Sequence, residues 1–305
     1  DVMDGNQGDD IVLMGAGDDT FQWDPGDGSD TVEGGTGFDT LIFNGSNAAE
    51  NVDISANGGR VHLFRDVANV TMDINEVERV DFNAFGGVDN IVVGDLSGTN
   101  VQQVNIGLGS GLGGGDNQVD SVTVNGTLNA DPIKIHSSGD VITVDGLSAT
   151  VNLFSAEATD RLIVNGLSGD DTIDASGLDA GKIALTLNGG AGNDTIIGSA
   201  GDDLISGGTG NDVALMGAGD DTFVWNPGDA NDTVEGQDGN DTLLFNGANV
   251  NETITLSANG ERALLQRNVA NITMDLHGVE TIDIGARGGA DTITVNDLTG
   301  TDVKS

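Results

Sequence analysis

The chain has 305 residues, and its 50 acidic side chains against 10 basic ones leave a formal net charge of −40. That charge excludes nucleic acid and anionic membrane surfaces as partners and makes cations the natural ones. The absence of cysteine excludes disulfides and thiolate metal sites, and no apolar run approaches the ~18 residues of a membrane-spanning helix.

Strong acidity can also mean disorder. Against it stand the 37% hydrophobic residues, set in short alternating runs, and the pairing of Asp with 49 glycines, a turn composition. Residues 1–44 read as nonapeptides: GNQGDDIVL, MGAGDDTFQ, then Trp23 and Asp24, then PGDGSDTVE and GGTGFDTLI. Each fits GGxGxDxUx with U apolar, a turn followed by a short strand whose apolar residue enters a core. Residues 45–103 carry longer alternating runs (VDIS, RVHLF, VTMDI, VERVDF) and are expected as wider coils of the same β-solenoid. Residues 104–188 hold looser strand-like units such as VDSVTV, GDVITV and TDRLIV, expected as calcium-poor coils. From residue 189 to 246 the nonapeptides return as GGAGNDTII, GSAGDDLIS, GGTGNDVAL, MGAGDDTFV, PGDANDTVE and GQDGNDTLL, with Trp225 and Asn226 inserted.

Residues 247–305 repeat 45–103. LMGAGDD starts at Leu13 and again at Leu215, an offset of 202, and the register holds through FNG, SANG and TMD to the end. The chain therefore holds one and a half copies of a long unit. Its start without Met and its stop inside a unit lead to the expectation of a longer parent array.

The acidic position of the nonapeptides falls at Asp10, Asp19, Asp30, Asp39, Asp194, Asp203, Asp212, Asp221, Asp232 and Asp241. Calcium takes six to eight oxygen ligands, more than one such turn supplies. Two nonapeptides should make one coil, so turns n and n+2 stack about 4.8 Å apart and share an ion. The expected pairs are Asp10 with Asp30, Asp19 with Asp39, Asp194 with Asp212, Asp203 with Asp221, Asp212 with Asp232, and Asp221 with Asp241. Glycines at the first, second and fourth positions curl the chain so that carbonyls face the ion: Gly5, Gly8, Gly15, Gly17, Gly26, Gly28, Gly35, Gly37, Gly190, Gly192, Gly201, Gly208, Gly210, Gly217, Gly219, Gly228 and Gly239. Asp171, in SGDDTID, is a further candidate. Asp89, Asp120, Asp140 and Asp160 lack the full glycine frame and read as turn caps. Asp9, Asp18, Asp202 and Asp220 read as solvent-facing.

GGAGNDTII, GSAGDDLIS and GGTGNDVAL resemble the repeats of the RTX (repeats-in-toxin, haemolysin-type) calcium-binding family. The resemblance implies a right-handed parallel β-roll with Ca²⁺ as its cofactor, type I secretion, and folding outside the cell. First glycines are lost at Met14, Pro25, Met216 and Pro227, second ones at Asn6 and Ser199, and a fourth at Ala230; the Pro25 and Pro227 turns are the expected weak sites. Trp23 and Trp225 read as covers of a widened coil rather than sugar platforms. Arg60, Arg65, Arg262 and Arg267 read as local ion pairs.

The three histidines are not kept between the copies, since His62 becomes Leu264 and His277 corresponds to Asn75. No catalytic constellation is present. The fold class expected is an all-β parallel solenoid. Its expected role is structural, in a secreted or cell-surface array that can self-associate head to tail or through calcium. A polysaccharide-active β-solenoid enzyme or binding module, or a toxin's repeat domain, is the alternative.

Overall fold

A computed structural model describes residues 1–110 and 114–304. Among them there is no α-helix; strands alternate with tight turns, and two short 3₁₀ segments, Val67–Asn69 and Val269–Asn271, complete the structure. Among the described residues no helix is long and apolar enough to cross a membrane. The chain divides into two units. One comprises residues 1–126 and 136–163, the other residues 127–135 and 164–305.

In the first unit, alternate strands go to alternate sheets, as one coil per two nonapeptides requires. One sheet stacks Val2–Asp4, Thr20–Trp23, Thr40–Asn44, Arg79–Asn83, Gln103–Gly107 and Thr150–Phe154, all in parallel. The facing sheet starts with Ile11–Ala16 beside Thr31–Thr36 and ends with Asn90–Val93 beside Ser121–Asn125, again parallel. The second unit repeats the plan. Thr172–Gly177, Thr195–Ile197, Val213–Leu215 and Thr233–Glu235 form one parallel ladder. Ala184–Ala191, Asp203–Thr209, Thr222–Trp225, Thr242–Asn246 and Thr281–Gly285 form the other. This is a parallel β-roll in each unit.

The alternation of each strand is what fills the core. In Thr20–Trp23 and Thr222–Trp225 every second residue is buried, and nine of the ten apolar U positions are buried, Val12 alone being half-exposed. In-register stacking places Phe21 on Leu41 and Phe223 on Leu243. Burying one such side chain is worth about 1.5–3 kcal/mol.

The stretch from Val52 to Phe82 departs from the wider coils expected of it. Asn51–Asn57, Arg60–Arg65 and Val70–Asn75 form an antiparallel meander inside the second sheet. Its outer strands then pair in parallel, one with Thr31–Thr36 and the other with Asn90–Val93. The meander turns at Gly58-Gly59, where Gly58 has φ 67, a two-residue hairpin that wants glycine first. The copy behaves identically: Thr253–Asn259, Arg262–Arg267 and Ile272–His277 are antiparallel, and Gly260 has φ 68. A period of two is the same in parallel and antiparallel strands, so alternation alone did not distinguish them. Within 104–188, Val141–Asp145 also pairs antiparallel with Thr150–Phe154.

Candidate metal centre

The nonapeptide aspartates are drawn into the protein by the strand that follows each of them. Asp19, Asp30, Asp39, Asp194, Asp203, Asp212, Asp221, Asp232 and Asp241 are all buried, and Asp10 is half-buried. The structure brings every expected pair together, and one hydrogen bond does it. The backbone N–H of Asp10 donates to Oδ1 of Asp30 at 2.9 Å, and that of Asp19 to Asp39 at 2.8 Å. Likewise Asp194 donates to Asp212, Asp203 to Asp221, Asp212 to Asp232 and Asp221 to Asp241, at 2.8–3.0 Å. Each carboxylate thus reaches back one coil and holds it.

The second carboxylate oxygen is the chemically telling one. Oδ2 of Asp10, Asp19, Asp30, Asp39, Asp194, Asp212, Asp221 and Asp241 is buried and has no hydrogen-bond partner. A buried, unpaired anionic oxygen is costly, so a series of them requires compensation. Burial raises the carboxyls of Asp30, Asp194 and Asp241, and it pushes Asp221 and Asp232 up to about 7 and Asp203 and Asp212 to about 6, with neighbouring aspartates adding repulsion.

Carbonyl oxygens meet these carboxylates. A Cβ built on the first glycine, Gly189, would lie 2.3 Å from Asp194 Oδ2 and 2.6 Å from the Gly207 carbonyl oxygen. At Gly236 it would meet Asp241 Oδ2 at 2.5 Å and the Gly278 oxygen at 1.9 Å. The first glycine is therefore needed for space, not for φ: positive φ occurs at the second and fourth positions, as at Gly208 (φ 91) and Gly210 (φ 137). There a Cβ would strike the carbonyl of the coil below, 2.1 Å from Gly190 O and 1.6 Å from Gly192 O. Hence Gly208→Ala should lower the melting temperature in saturating Ca²⁺ more than Gly228→Ala. Both incur left-handed strain of about 1–3 kcal/mol, but a Cβ on Gly228 meets nothing within 4 Å. Equal losses in a thermal melt would contradict the stacked-carbonyl account. Of the other predicted glycines, Gly5, Gly28 and Gly201 do not take positive φ.

Among the described residues no three His, Cys, Asp or Glu side chains converge on one point. A site here is instead two carboxylates from stacked coils plus backbone carbonyls, an all-oxygen donor set that suits a hard cation of flexible coordination. These residues fit Ca²⁺. A model of the RTX calcium-binding nonapeptide repeat matches four stretches, residues 1–21, 24–42, 186–214 and 228–249. The chain carries RTX calcium-binding repeats. Such repeats bind Ca²⁺. No curated protein matches the chain.

The RTX ladder gives a physical reason for several of the lost glycines. The first carboxylate of a run has a different environment, because its own side chain lacks a backbone donor below it. Asp203 is one, and its oxygens accept the Ser199 N–H and hydroxyl instead, at 2.5 and 2.9 Å. Thr127 serves Asp131 in the same way, and the Asp131 N–H then donates to Asp171 Oδ1. A hydroxyl at the second position thus marks the start of a run. In the Pro25 and Pro227 turns the indole N–H groups of Trp23 and Trp225 take the carbonyls of Gly28 and Ala230, at 2.9 and 3.0 Å. Those carbonyls face a competing donor, a physical basis for reduced metal affinity there.

Both tryptophans are fully buried. Trp23 stacks on Phe43 with centroids 4.1 Å apart, and Trp225 on Phe245 at 4.3 Å, so neither offers a sugar platform. Arg60 and Arg262 pair locally, with Glu33 and Asp73 and with Glu235 and Asp275. Arg65 and Arg267 are buried against Glu50 and Glu252. Asp9, Asp18, Asp202 and Asp220 are exposed as expected, yet they form an outer ladder in the opposite sense. Asp9 Oδ1, for example, accepts the Ser29 N–H one coil on.

The ladder extends beyond the matched repeats. Asp171 is buried, accepts the Asp131 N–H, donates its own N–H to Asp194, and keeps Oδ2 unpartnered. Asp89, Asp120 and Asp160 belong to the same ladder in the first unit, each accepting a backbone N–H from a stacked coil, and Asp160 also caps its own turn by accepting the Glu157 N–H at 2.7 Å. Asp140 is exposed, in a hairpin turn. The signal in these coils is conformational. Phe85 and Leu167 stand at the second position with φ 69 and 76, followed by Gly87 and Gly169 at φ 119 and 122, so a pattern demanding glycine passes over them.

Proposed function

We propose that the chain is a calcium-loaded structural segment of a secreted or cell-surface bacterial protein, a shaft or layer element that folds when Ca²⁺ enters its turns. The single observation that carries this reading is the succession of buried carboxylate oxygens without partners in stacked coils. Asp10, Asp19, Asp30, Asp39, Asp194, Asp212, Asp221, Asp241 and Asp171 are the side chains that would hold the ions, with the stacked glycine carbonyls beside them. Asp203, already satisfied by Ser199, would contribute least. The net charge of −40 supports the same reading, since each bound ion removes repulsion that the fold otherwise carries. The work assigned to the chain is mechanical and not catalytic, with self-association as a further consequence of calcium loading.

Because an unfilled site is a column of buried anions, metal binding and folding are one process. Titrating chelated protein with Ca²⁺ should produce a cooperative coil-to-β transition in far-UV circular dichroism, with Mg²⁺ ineffective at the same concentration. Rising light scattering at the end of the titration would reveal assembly. Full β-structure in chelator, unchanged by Ca²⁺, would overturn the proposal.

A further inference from the structure

The coil that carries Asp89 lies outside the four matched stretches, and so does the coil stacked beyond it. Asp89 is fully buried. Its Oδ1 accepts the Glu50 N–H at 2.8 Å, and its Oδ2 has no partner. The following coil is joined through the Asp89 N–H, which donates to Asp120 Oδ1 at 2.9 Å. That coil brings Asp116, whose Oδ1 accepts the Gln118 N–H at 2.8 Å while its buried Oδ2 is again without a partner. The preceding coil brings Asn47. A Cβ on Gly86, between the two, would lie 3.1 Å from Asn47 Oδ1 and 3.5 Å from Asp116 Oδ2. Both side-chain oxygens therefore face the space that glycine leaves open, in a cleft lined also by Phe85 and Gly87. The Asp116 carboxylate repels those of Asp89 and Asp120 and so helps to hold both in the protonated direction when no cation is bound.

We propose that Asp89, Asp116 and Asn47 form a calcium site outside the nonapeptide arrays. It differs from the repeat sites in its donors, because a side-chain carboxylate from the second position of one coil and an amide oxygen from another replace glycine carbonyls. All its donors are oxygens, with no imidazole or thiolate, which selects a hard cation over zinc or copper. Two carboxylates and a neutral oxygen from three coils would tie those coils together where the repeat consensus has lapsed.

The test is crystallographic and uses the full chain, grown with Tb³⁺ in place of Ca²⁺. An anomalous difference peak is expected between Asp89, Asp116 and Asn47, besides those in the nonapeptide turns. Asp116→Asn retains the oxygen that accepts the Gln118 N–H. It should remove this peak alone and lower the calcium bound in equilibrium dialysis by about one ion per chain. Peaks in the nonapeptide turns with none here, or unchanged stoichiometry in Asp116→Asn, would overturn the site while leaving the calcium-scaffold reading intact. An absence of peaks anywhere would sink both.

Discussion

Metal-free protein should regain β-structure when acidified from about pH 7.5 to about pH 4.5, a direction opposite to ordinary acid denaturation. The reason lies in the buried aspartates. Desolvation first, and neighbouring carboxylates after it, raise Asp89, Asp221 and Asp232 to about 7, and Asp120, Asp171, Asp203 and Asp212 to about 6. In the unfolded chain the same groups titrate near 3.8. Between those values the folded state holds more protons than the unfolded one, so stability falls as pH rises through the window. A group moved from 3.8 to about 7 costs on the order of 4 kcal/mol above pH 7. A few such groups match the entire net stability of a domain, about 5–15 kcal/mol. Below about pH 4 this penalty is gone. Far-UV circular dichroism of chelated, desalted protein across this range checks it. Equal or greater structure at neutral pH would mean that the carboxylates are satisfied without metal. With Ca²⁺ present the dependence should reverse, because protons then compete with the ion for the same oxygens.

The second large effect is expected at the meander. Arg65 Nε donates to Glu50 Oε1 at 3.0 Å, its Nη1 reaches the Val67 carbonyl at 3.2 Å, and its guanidinium carbon lies 5.5 Å from the Trp23 ring centroid. Glu50 also accepts the Ser46 hydroxyl at 2.6 Å. Glu50 stands where a nonapeptide has its aspartate, at the first coil after the meander breaks the sheet. The backbone N–H of a preceding coil is absent there, and Arg65 supplies the donor together with a charge. The longer Glu is what reaches it. Arg267, Glu252 and Trp225 repeat the arrangement. Arg65→Met should cost about 3–5 kcal/mol, because it strands a buried carboxylate, and should lower the melting temperature of the calcium-loaded protein. Arg65→Met with Glu50→Leu should recover much of that loss, since removing both charges removes the stranded one. A single variant as stable as the parent, or a double variant no better than the single, would refute the assignment.

The parallel roll and its aspartate pairs were legible in the sequence because a nine-residue period states both which residues stack and which side of the coil they share. Asp194 and Asp212 could be paired from their spacing alone. The meander was not legible, since VDIS, RVHLF and VTMDI alternate as parallel strands do; only Asn57-Gly58-Gly59-Arg60 hinted at a reversal. The coils at Asp89 and Asp171 were partly hidden because the backbone tolerates Phe85 and Leu167 in the left-handed region. Ser199 read as a lost glycine, yet its hydroxyl has a partner that only the stacking reveals. Arg65 and Arg60 looked alike in sequence, but their places in the meander bury one and leave the other at the surface.

The hydroxyl-marked starts have a consequence for how calcium is taken up. Each carboxylate is oriented by the N–H of the coil before it, so ordering one turn prepares its neighbour, and energy is shared between adjacent turns only. Asp131, Asp171, Asp194, Asp212 and Asp232 form one uninterrupted series. Asp203, Asp221, Asp241 and Glu280 form a second, begun by Ser199. Each series is expected to behave as a cooperative block of the kind a one-dimensional lattice describes, and to load over a narrow span of calcium concentration. Serine, threonine and the arginine–glutamate pairs mark where one series ends and the next begins, so the response to calcium would be graded by the placement of a few hydroxyls.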